Sequence, residues 1–367
     1  MSFPRRSTCP LFERLPELRS SLPWLPLLGG PTPVEPLLLG PDAARGPSLW
    51  LKRDDRGARP YGGNKPRKLE WLLADARRQG ARCVLTAGGI GSNHALATTL
   101  YGSELGLAVH LLLFPQPVTE HVKMSLRLYG HFGARLHLGE GSRQVERQVA
   151  ELGQALPSCY AIPMGGSTPL GALGFVDAAF ELAEQVRQGL LPCPSRIFVA
   201  AGTCGTLAGL VLGTKLAGLP SRVIGVRVVD RSVGNPAVAL QLAAGALRLL
   251  RQRAPTAVPE LSLSEADFDF LDGYFGDGYG CPTAAGQRAL RLAREHAGLE
   301  LEPTYTGKTL AAVLDACGAR ASAGTVLYWN TFAGPVLADL AAGVGDAAVP
   351  SEFRGFLANP AAASDAL

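Results

Sequence analysis

The stretch Ile197-Phe198-Val199-Ala200-Ala201-Gly202-Thr203-Cys204-Gly205-Thr206 passes from an apolar run, through a glycine turn, directly into an apolar segment. Five consecutive apolar residues bounded by glycine are typical of a buried strand, and the segment that continues to Ala217 has the length of a helix. A strand and a helix joined by so short a turn form one β–α step.

The same step recurs along the chain. Short apolar strands that alternate with amphipathic helices need crossover connections, and these produce parallel sheets covered by helices, so the predicted fold class is α/β. Residues 254–280 are less regular and are expected to form a loop that feeds a site. The predicted strand and helix pairs are 49–53 with 64–79, 83–87 with 93–105, 108–114 with 120–132, 134–138 with 142–156, 159–162 with 170–188, 197–201 with 206–217, and 223–228 with 236–251.

The composition excludes several classes of protein. A length of 367 residues predicts two domains or one large α/β unit, and 47% hydrophobic with 18% charged residues excludes a disordered or fibrous chain. A net charge of +4 without a dense Lys/Arg block argues against a nucleic-acid partner. The apolar runs are far shorter than the roughly 18 to 20 residues of a membrane span, so no membrane segment is expected.

The cysteines and histidines predict neither disulfides nor metal. Seven cysteines, never closer than eleven positions, suggest reduced thiols and a cytoplasmic location. Charged residues interrupt the first apolar positions of the chain, so we expect no secretory or twin-arginine signal. The six histidines show no metal-binding spacing, and no metal site is predicted.

The segment Gly62-Gly63-Asn64-Lys65-Pro66-Arg67-Lys68-Leu69-Glu70 carries the sharpest chemical signal. Asn64 is a good N-cap and Pro66 suits a first turn, so a helix is predicted to begin here with Lys65 at its head. The positive helix end and the two following basic residues favour a neutral Lys65 amine, which a Schiff-base nucleophile needs. A solvated basic first turn is the alternative interpretation.

The turn at 202–206 offers a place for a phosphate group. Backbone N–H groups at a helix N-terminus bind phosphate without needing a cationic side chain. The glycine spacing matches neither the dinucleotide fingerprint nor the P-loop, so a small phosphorylated cofactor is the better fit, with a plain tight turn as the alternative. Gly307-Lys308-Thr309 ends like a P-loop, but Glu302 stands where that motif requires glycine, which argues against ATP.

A Schiff-base lysine and a phosphate loop on an α/β scaffold indicate pyridoxal phosphate. The lysine segment resembles the Gly-Gly-Asn-Lys-x-Arg-Lys-Leu-Glu motif of the D-cysteine desulfhydrase and 1-aminocyclopropane-1-carboxylate deaminase family. The agreement of six motifs in order makes this resemblance specific, and it covers roughly residues 25–337. The five further motifs are Ser92-Asn93-His94, Gly165-Gly166-Ser167, Leu170-Gly171-Ala172-Leu173-Gly174-Phe175, Gly278-Tyr279-Gly280-Cys281-Pro282-Thr283 and Tyr305-Thr306-Gly307-Lys308.

The resemblance implies the two-domain, tryptophan-synthase-β-like fold of pyridoxal-phosphate enzymes (fold type II), with a small domain inserted in a large one. On this basis we expect a large cofactor-binding domain at 1–65 and 176–345 and an inserted α/β domain at 66–175. Residues 346–367 are expected to form a frayed tail. The resemblance also implies a homodimer.

The resemblance further assigns roles to individual residues. Lys65 would carry the cofactor and act as base on the substrate Cα, and Asn93 would bind the ring hydroxyl. Ser92, Asn93 and His94 open a helix and would bind the substrate carboxylate, although Ser92 can also be a plain N-cap. The phosphate would be held by Gly202, Thr203, Cys204, Gly205 and Thr206.

Tyr279 and Tyr305 match the two active-site tyrosines of the family, which can orient the substrate amino group or relay a proton; a core role is the alternative. Thr306, expected in the substrate site, stands where deaminases place a glutamate. Its neutral hydroxyl cannot supply the charge that favours a protonated ring, so the ring is expected to be a weaker electron sink. Thr331 is expected to face the ring nitrogen.

The chain departs from the family at two places. Gly91 replaces a glutamine, and Trp329-Asn330 with Phe332-Ala333 replaces a smaller glycine-rich wall, which we expect to alter the pocket. The prediction is a pyridoxal-phosphate-dependent carbon-sulfur lyase that performs α,β-elimination on a small amino acid, most simply D-cysteine. The alternatives are 1-aminocyclopropane-1-carboxylate deamination, which Thr306 disfavours, elimination from D-serine or cysteate, and cofactor binding without turnover.

Overall fold

The computed structural model of the chain describes residues 4–40, 48–142, 144–318, 324–333 and 336–358. In these ranges no helix is long and apolar enough to cross a membrane. The described strands are β1 Val34–Pro36, β2 Ser48–Arg53, β3 Cys83–Gly89, β4 Ala108–Phe114, β5 Arg135–Leu138, β6 Cys159–Ile162, β7 Arg196–Ala201, β8 Arg222–Arg227, β9 Phe268–Leu271 and β10 Thr325–Asn330. The described α-helices are α1 Pro10–Arg14, α2 Lys65–Arg78, α3 Asn93–Glu104, α4 Glu120–His131, α5 Val145–Ala155, α6 Pro169–Arg187, α7 Gly205–Ala217, α8 Pro236–Arg253, α9 Ala284–Ala297, α10 Thr306–Gly318, α11 Val336–Ala341 and α12 Ser351–Ala358.

The strands form two sheets. One has the order β1-β2-β10-β7-β8-β9 and the other the order β5-β4-β3-β6. Every neighbouring pair is parallel except β1 with β2, which is antiparallel at the sheet edge. The predicted α/β class is confirmed, and an antiparallel edge strand on a parallel sheet is common in such folds.

The chain divides into two compact units. The first unit comprises Met1–Trp71 and Ser167–Gly334 and contains the six-stranded sheet; the second comprises Leu72–Gly166 and Pro335–Leu367 and contains the four-stranded sheet. The observed division therefore lies after Trp71, before Ser167 and after Gly334, whereas the expected boundaries were 65/66, 175/176 and 345/346. It differs because Trp71 and the first turns of α6 are buried in an apolar cluster of the first unit.

Two segments that we expected to be irregular contain regular structure. Residues 254–280 include β9, which pairs in parallel with β8 and buries Phe268. The expected frayed tail begins with a short 3₁₀ turn, Asp346–Ala348, and continues as α12, which buries Phe353. Both elements are short, so their sequence period is too brief to recognise. Residues 359–367 lie outside the described part of the chain.

A buried ionic cluster underlies the start of α2. The guanidinium of Arg67 donates from Nη2 to Asp54 Oδ1 and to Glu181 Oε1, each at 2.9 Å. Trp329 of β10 donates from Nε1 to the other Asp54 oxygen at 2.8 Å, and Lys52 of β2 contacts Glu181. Together these charges tie α2 to β2, α6 and β10. Arg67 and Lys52 hold the pKa of the Glu181 carboxyl far below its usual range.

Helices α6 and α7 approach closely because glycines line their contact. A Cβ added at Gly209 would lie 2.3 Å from Ala172 O, and one added at Gly213 would lie 2.6 Å from Ala179 Cβ. Atoms at such distances overlap, so only glycine permits this packing. The contact places the N-terminus of α7, with its preceding loop, next to the start of α6.

We predict that Gly209→Ala destabilises the chain by about 1 to 3 kcal/mol, because the added methyl overpacks the contact between α6 and α7. The matched control is Gly355→Ala in α12, where an added Cβ meets nothing within 4 Å. That change should leave stability unaltered or raise it by up to about 1 kcal/mol. Urea unfolding of both variants measures the difference, and equal midpoints would contradict the prediction.

Candidate active site

Lys65 begins α2 directly after a turn that is anchored at two points. Gly63 has a φ of +78°, and a Cβ on it would lie 2.6 Å from Thr331 O. Asn64 N donates to the same Thr331 oxygen at 3.1 Å, and Asn64 Nδ2 donates to Thr206 Oγ1 at 3.0 Å. The turn therefore brings Lys65 together with the start of α7 and the end of β10. Three predicted cofactor residues thus share one place.

The Lys65 amine is poised between its charged and neutral forms. Burial lowers its pKa from 10.5 to about 8, and the negative charge of Glu302 opposes this shift. The direction agrees with the sequence prediction, but the main cause is burial and not the basic neighbours. Arg67 is instead compensated by its two carboxylates. Lys65 Nζ makes no hydrogen bond with the described residues, so its lone pair is available to an electrophile.

The 202–206 loop has the features of an anion cradle. Helix α7 starts without a side-chain cap, and Cys204 before it has a left-handed φ of 61°. Gly205 N donates to Ser167 Oγ at 3.2 Å, and Ser167 Oγ lies 2.7 Å from Thr203 Oγ1. A Cβ on Gly205 would lie 2.6 Å from the Ser167 hydroxyl. A helix start that receives no cap from the residue before it, and that is lined by hydroxyl groups, fits a phosphate.

Lys68 and Ser167 belong to this cradle and were not predicted as site residues. Lys68 Nζ donates to Ser167 Oγ at 3.3 Å and would lie 3.0 Å from a Cβ on Gly205. Burial and the charge of Lys65 lower the Lys68 pKa well below its usual value. We expected the loop to act without a cation, whereas the structure places an amine beside it. The available signal was the spacing of three between the two lysines, which puts them on one helix face.

The hydroxyl groups of Tyr279 and Tyr305 lie 2.6 Å apart, and their rings meet edge to face. The Tyr305 ring lies beside the phosphate loop, because a Cβ on Gly202 would be 3.4 Å from its Cε1. Burial raises the pKa of Tyr279 to about 12 and also raises the pKa of Tyr305 well above its usual value. Both phenols therefore stay protonated and can donate hydrogen bonds at physiological pH.

The first turns of α10 support this tyrosine pair. Thr306 is buried, and its hydroxyl accepts from Glu302 N at 2.9 Å and donates to the Glu302 carboxylate at 3.1 Å. Lys308 Nζ donates to Phe275 O at 2.6 Å and to Gly278 O at 3.4 Å. The Gly-Lys-Thr segment thus lies within a helix, where its lysine supports the loop that precedes Tyr279.

Two residues of the expected pocket wall lie at the end of β10. Trp329 and Asn330 are both fully buried, and Trp329 packs edge to face on Phe175. Such burial is normal for a central strand, which is covered on both faces, and the expectation that 329–330 with 332–333 alter the pocket stays a prediction. Thr331, immediately after the strand, is partly exposed, and its hydroxyl makes no hydrogen bond with any residue that the structure describes. It therefore remains a candidate partner for a ring nitrogen.

The second unit contains the remaining predicted residues, Ser92, Asn93 and His94, at the start of α3. Ser92 Oγ accepts from Ala95 N at 3.2 Å, so the N-cap role is present. A Cβ on Gly88 would lie 2.6 Å from that Ser92 hydroxyl, which explains the glycine. Asn93 is partly exposed and His94 is buried. Their N–H groups open a helix, which is a geometry suited to a carboxylate.

Gly91 is required by its surroundings. A Cβ there would lie 2.7 Å from Val122 Cγ2 and 3.2 Å from Gln116 Nε2. Gln116 Oε1 accepts from Gly91 N at 3.2 Å. The amide of Gln116 thus occupies the space beside residue 91.

The histidines of the second unit include one close pair. His110 Nδ1 and His137 Nε2 lie 3.1 Å apart with stacked rings, and burial lowers the pKa of both. Among the residues that the structure describes, no group of three or more His, Cys, Asp or Glu is arranged to hold a metal.

Comparison with known proteins identifies the family of this chain. The family model described as "Pyridoxal-phosphate dependent enzyme" matches residues 25–331. The chain belongs to this family. Its cofactor is therefore pyridoxal phosphate, as the lysine and loop segments predicted, and the resemblance drawn from the six motifs is confirmed.

Two bacterial relatives are similar over nearly their whole length. A D-cysteine desulfhydrase of Salmonella newport is 36% identical over 330 residues, which cover 86% of this chain and 95% of the relative. A D-cysteine desulfhydrase of Serratia proteamaculans is 34% identical over 329 residues, with 87% and 96% covered.

Solved structures show the same fold. The structure of an "ACC deaminase homologue" superposes with a TM-score of 0.74 at 28% identity and covers 89% of this chain and 98% of that one. An O-ureido-L-serine synthase, at 16% identity and a TM-score of 0.60, covers 86% of this chain and 94% of its own. The second likeness concerns the fold alone.

We predict that Lys308→Met lowers the turnover of the enzyme, while the cofactor remains attached at Lys65. The substitution leaves two backbone carbonyls without their donor, which costs about 1 to 3 kcal/mol and loosens the loop before Tyr279. The control is Lys215→Met, because Lys215 also donates to a carbonyl, Ser262 O at 3.0 Å, but in an exposed place. Steady-state turnover with bound-cofactor content checks this; loss of cofactor in the Lys308 variant would contradict it.

Proposed function

We propose that this enzyme is a carbon-sulfur lyase that converts D-cysteine and water to pyruvate, ammonia and hydrogen sulfide. The observation that carries this proposal is the Lys65 turn, which places a hydrogen-bond-free amine beside an anion cradle. The D-cysteine desulfhydrases of two bacteria, with 36% and 34% identity, support the choice of substrate.

Lys65, Lys68 and the 202–206 loop would hold the cofactor. When bound, pyridoxal phosphate supplies an electron sink for negative charge at the substrate Cα. Lys65 would attach the cofactor through its neutral amine and then take the proton from Cα, for which a pKa of about 8 is suitable. The amine of Lys68 and the N–H groups at the start of α7 would bind the phosphate, and Asn93 would bind the ring hydroxyl.

The two tyrosines would manage the leaving group. Because their hydroxyls lie 2.6 Å apart and stay protonated, one can orient the other while it donates a hydrogen bond to the substrate. Ser92, Asn93 and His94 would bind the substrate carboxylate through the N–H groups that open α3.

A second candidate is 1-aminocyclopropane-1-carboxylate deamination, which is favoured by the likeness to the solved ACC deaminase homologue. Thr306 opposes it, because its hydroxyl is already engaged by Glu302 and carries no charge. The product separates the two activities: deamination releases 2-oxobutanoate, and elimination from D-cysteine releases pyruvate and sulfide.

We predict that borohydride reduction of the holoenzyme leaves a pyridoxyl adduct on Lys65, found by peptide mass mapping, and that D-cysteine yields sulfide while L-cysteine does not. Lys65→Ala should lose at least about 10²-fold in turnover, because both the attachment point and the base are removed. Lys68→Ala is the companion variant, and it should keep the Lys65 adduct but need more added cofactor. An adduct on Lys68 or Lys308, or no sulfide from either isomer, would contradict the respective assignment.

We also propose that the enzyme is a cytoplasmic homodimer. Its substrate is a small amino acid, and it binds neither nucleic acid nor a membrane. The family resemblance supports the dimer, and seven free cysteine thiols support the reducing compartment. Sedimentation equilibrium of the holoenzyme should give twice the chain mass of 38.5 kDa. A single-chain mass at micromolar concentration would refute the dimer.

A further inference from the structure

Glu302 has no assigned role, and its carboxylate is buried just before α10. Its Oε1 accepts from Tyr305 N and Thr306 N, both at 2.8 Å, and its Oε2 accepts from Thr304 N at 2.7 Å. These bonds satisfy backbone donors that a helix start otherwise leaves open. Glu302 thereby fixes the backbone of Tyr305 directly.

The surroundings of this carboxylate are the candidate site itself. Tyr305, whose backbone it holds, carries one of the two hydroxyls that lie 2.6 Å apart. Burial is the main influence on the pKa of Lys65, Tyr279 and Tyr305; the charge of Glu302 opposes the lowering at Lys65 and adds to the raising at both tyrosines. The titratable groups that face Glu302, Tyr305 or Lys65 are Tyr61, Lys68, Tyr279, Lys308 and Tyr328.

We propose that Glu302 is a positioning residue of the active site, which holds Tyr305 in the hydroxyl pair and supplies a buried negative charge to Lys65. The proposal rests on the proposed role of Lys65 as the attachment point, but not on the identity of the substrate. The charge stabilises the protonated amine and the neutral phenols, so it opposes the effect of burial on Lys65 and adds to the effect of burial on the two tyrosines. Glu302 Oε1 also accepts from the Thr306 hydroxyl at 3.1 Å.

The test is Glu302→Gln in the full chain freed of cofactor. The pH dependence of Lys65 acetylation, followed by peptide mass mapping, gives the midpoint of the amine titration. The native midpoint should lie at about 8, and the variant midpoint should be lower, because the loss of a negative charge favours the neutral amine. Labelling at pH 7 should then be faster by about threefold or more. In the holoenzyme, the acid limb of the kcat profile, which reports the neutral form of the Lys65 base, should move to lower pH.

The control for a purely structural cap is Asp267→Asn. Asp267 accepts from Ser264 N at 2.7 Å at another helix start and pairs with Lys215, away from the tyrosines. This variant should lose some stability and leave the Lys65 midpoint unchanged. An unchanged midpoint in Glu302→Gln would overturn the proposal.

A second variant keeps the test decisive if Glu302→Gln does not fold. Glu302→Asp retains the negative charge on a shorter side chain, so its Lys65 midpoint should stay near the native value. A midpoint lowered as much as expected for loss of the charge would refute the role of charge. A native enzyme that makes no sulfide from D-cysteine but shows the Glu302 effect would reject the substrate and keep this proposal.

Discussion

The buried guanidinium of Arg67, held between Asp54 and Glu181, is the interaction on which the rest of the site depends. Charges removed from water are costly unless each is paired, and removal of one partner leaves the others uncompensated. The cluster therefore admits few arrangements of β2, α2, α6 and β10. Lys65 lies two residues before Arg67, so its position on α2 is fixed by the same cluster. The indole of Trp329 completes the cluster from β10.

The two lysines of the same segment have different environments for a physical reason. Lys65 makes no hydrogen bond in the described structure, and burial brings its pKa to about 8, whereas Lys68 reaches Ser167 beside the phosphate loop. One helix face thus presents a nucleophilic amine and an anion-binding amine three residues apart. Arg67, which lies between them in the sequence, is paired with the carboxylates of Asp54 and Glu181. Its positive charge is therefore compensated within the ionic cluster.

Opposite charges at the start of α10 arrange the tyrosine pair. The Glu302 carboxylate accepts a hydrogen bond from the backbone of Tyr305. The Lys308 amine donates to two carbonyls of the segment before Tyr279. Tyr305 is therefore held through its own backbone and Tyr279 through the segment that precedes it, and their hydroxyls lie 2.6 Å apart. A residue that resembled part of a nucleotide-binding motif is used here for local support.

The alternation of apolar strands with amphipathic helices was sufficient to predict the α/β class, because period and length are properties of neighbouring residues. The lysine segment and the glycine loop likewise predicted the cofactor, since both chemistries need particular residue types at short spacing. Short elements such as β9 and α12 were not predicted, because four to eight residues are too few to show a hydrophobic period. Tertiary structure alone decided three features of the site. These are the burial of Trp329, the contact of the Lys68 amine with Ser167, and the hydrogen bond of the Glu302 carboxylate to Tyr305 N. Each depends on which distant residue lies opposite, and no local pattern encodes that partner.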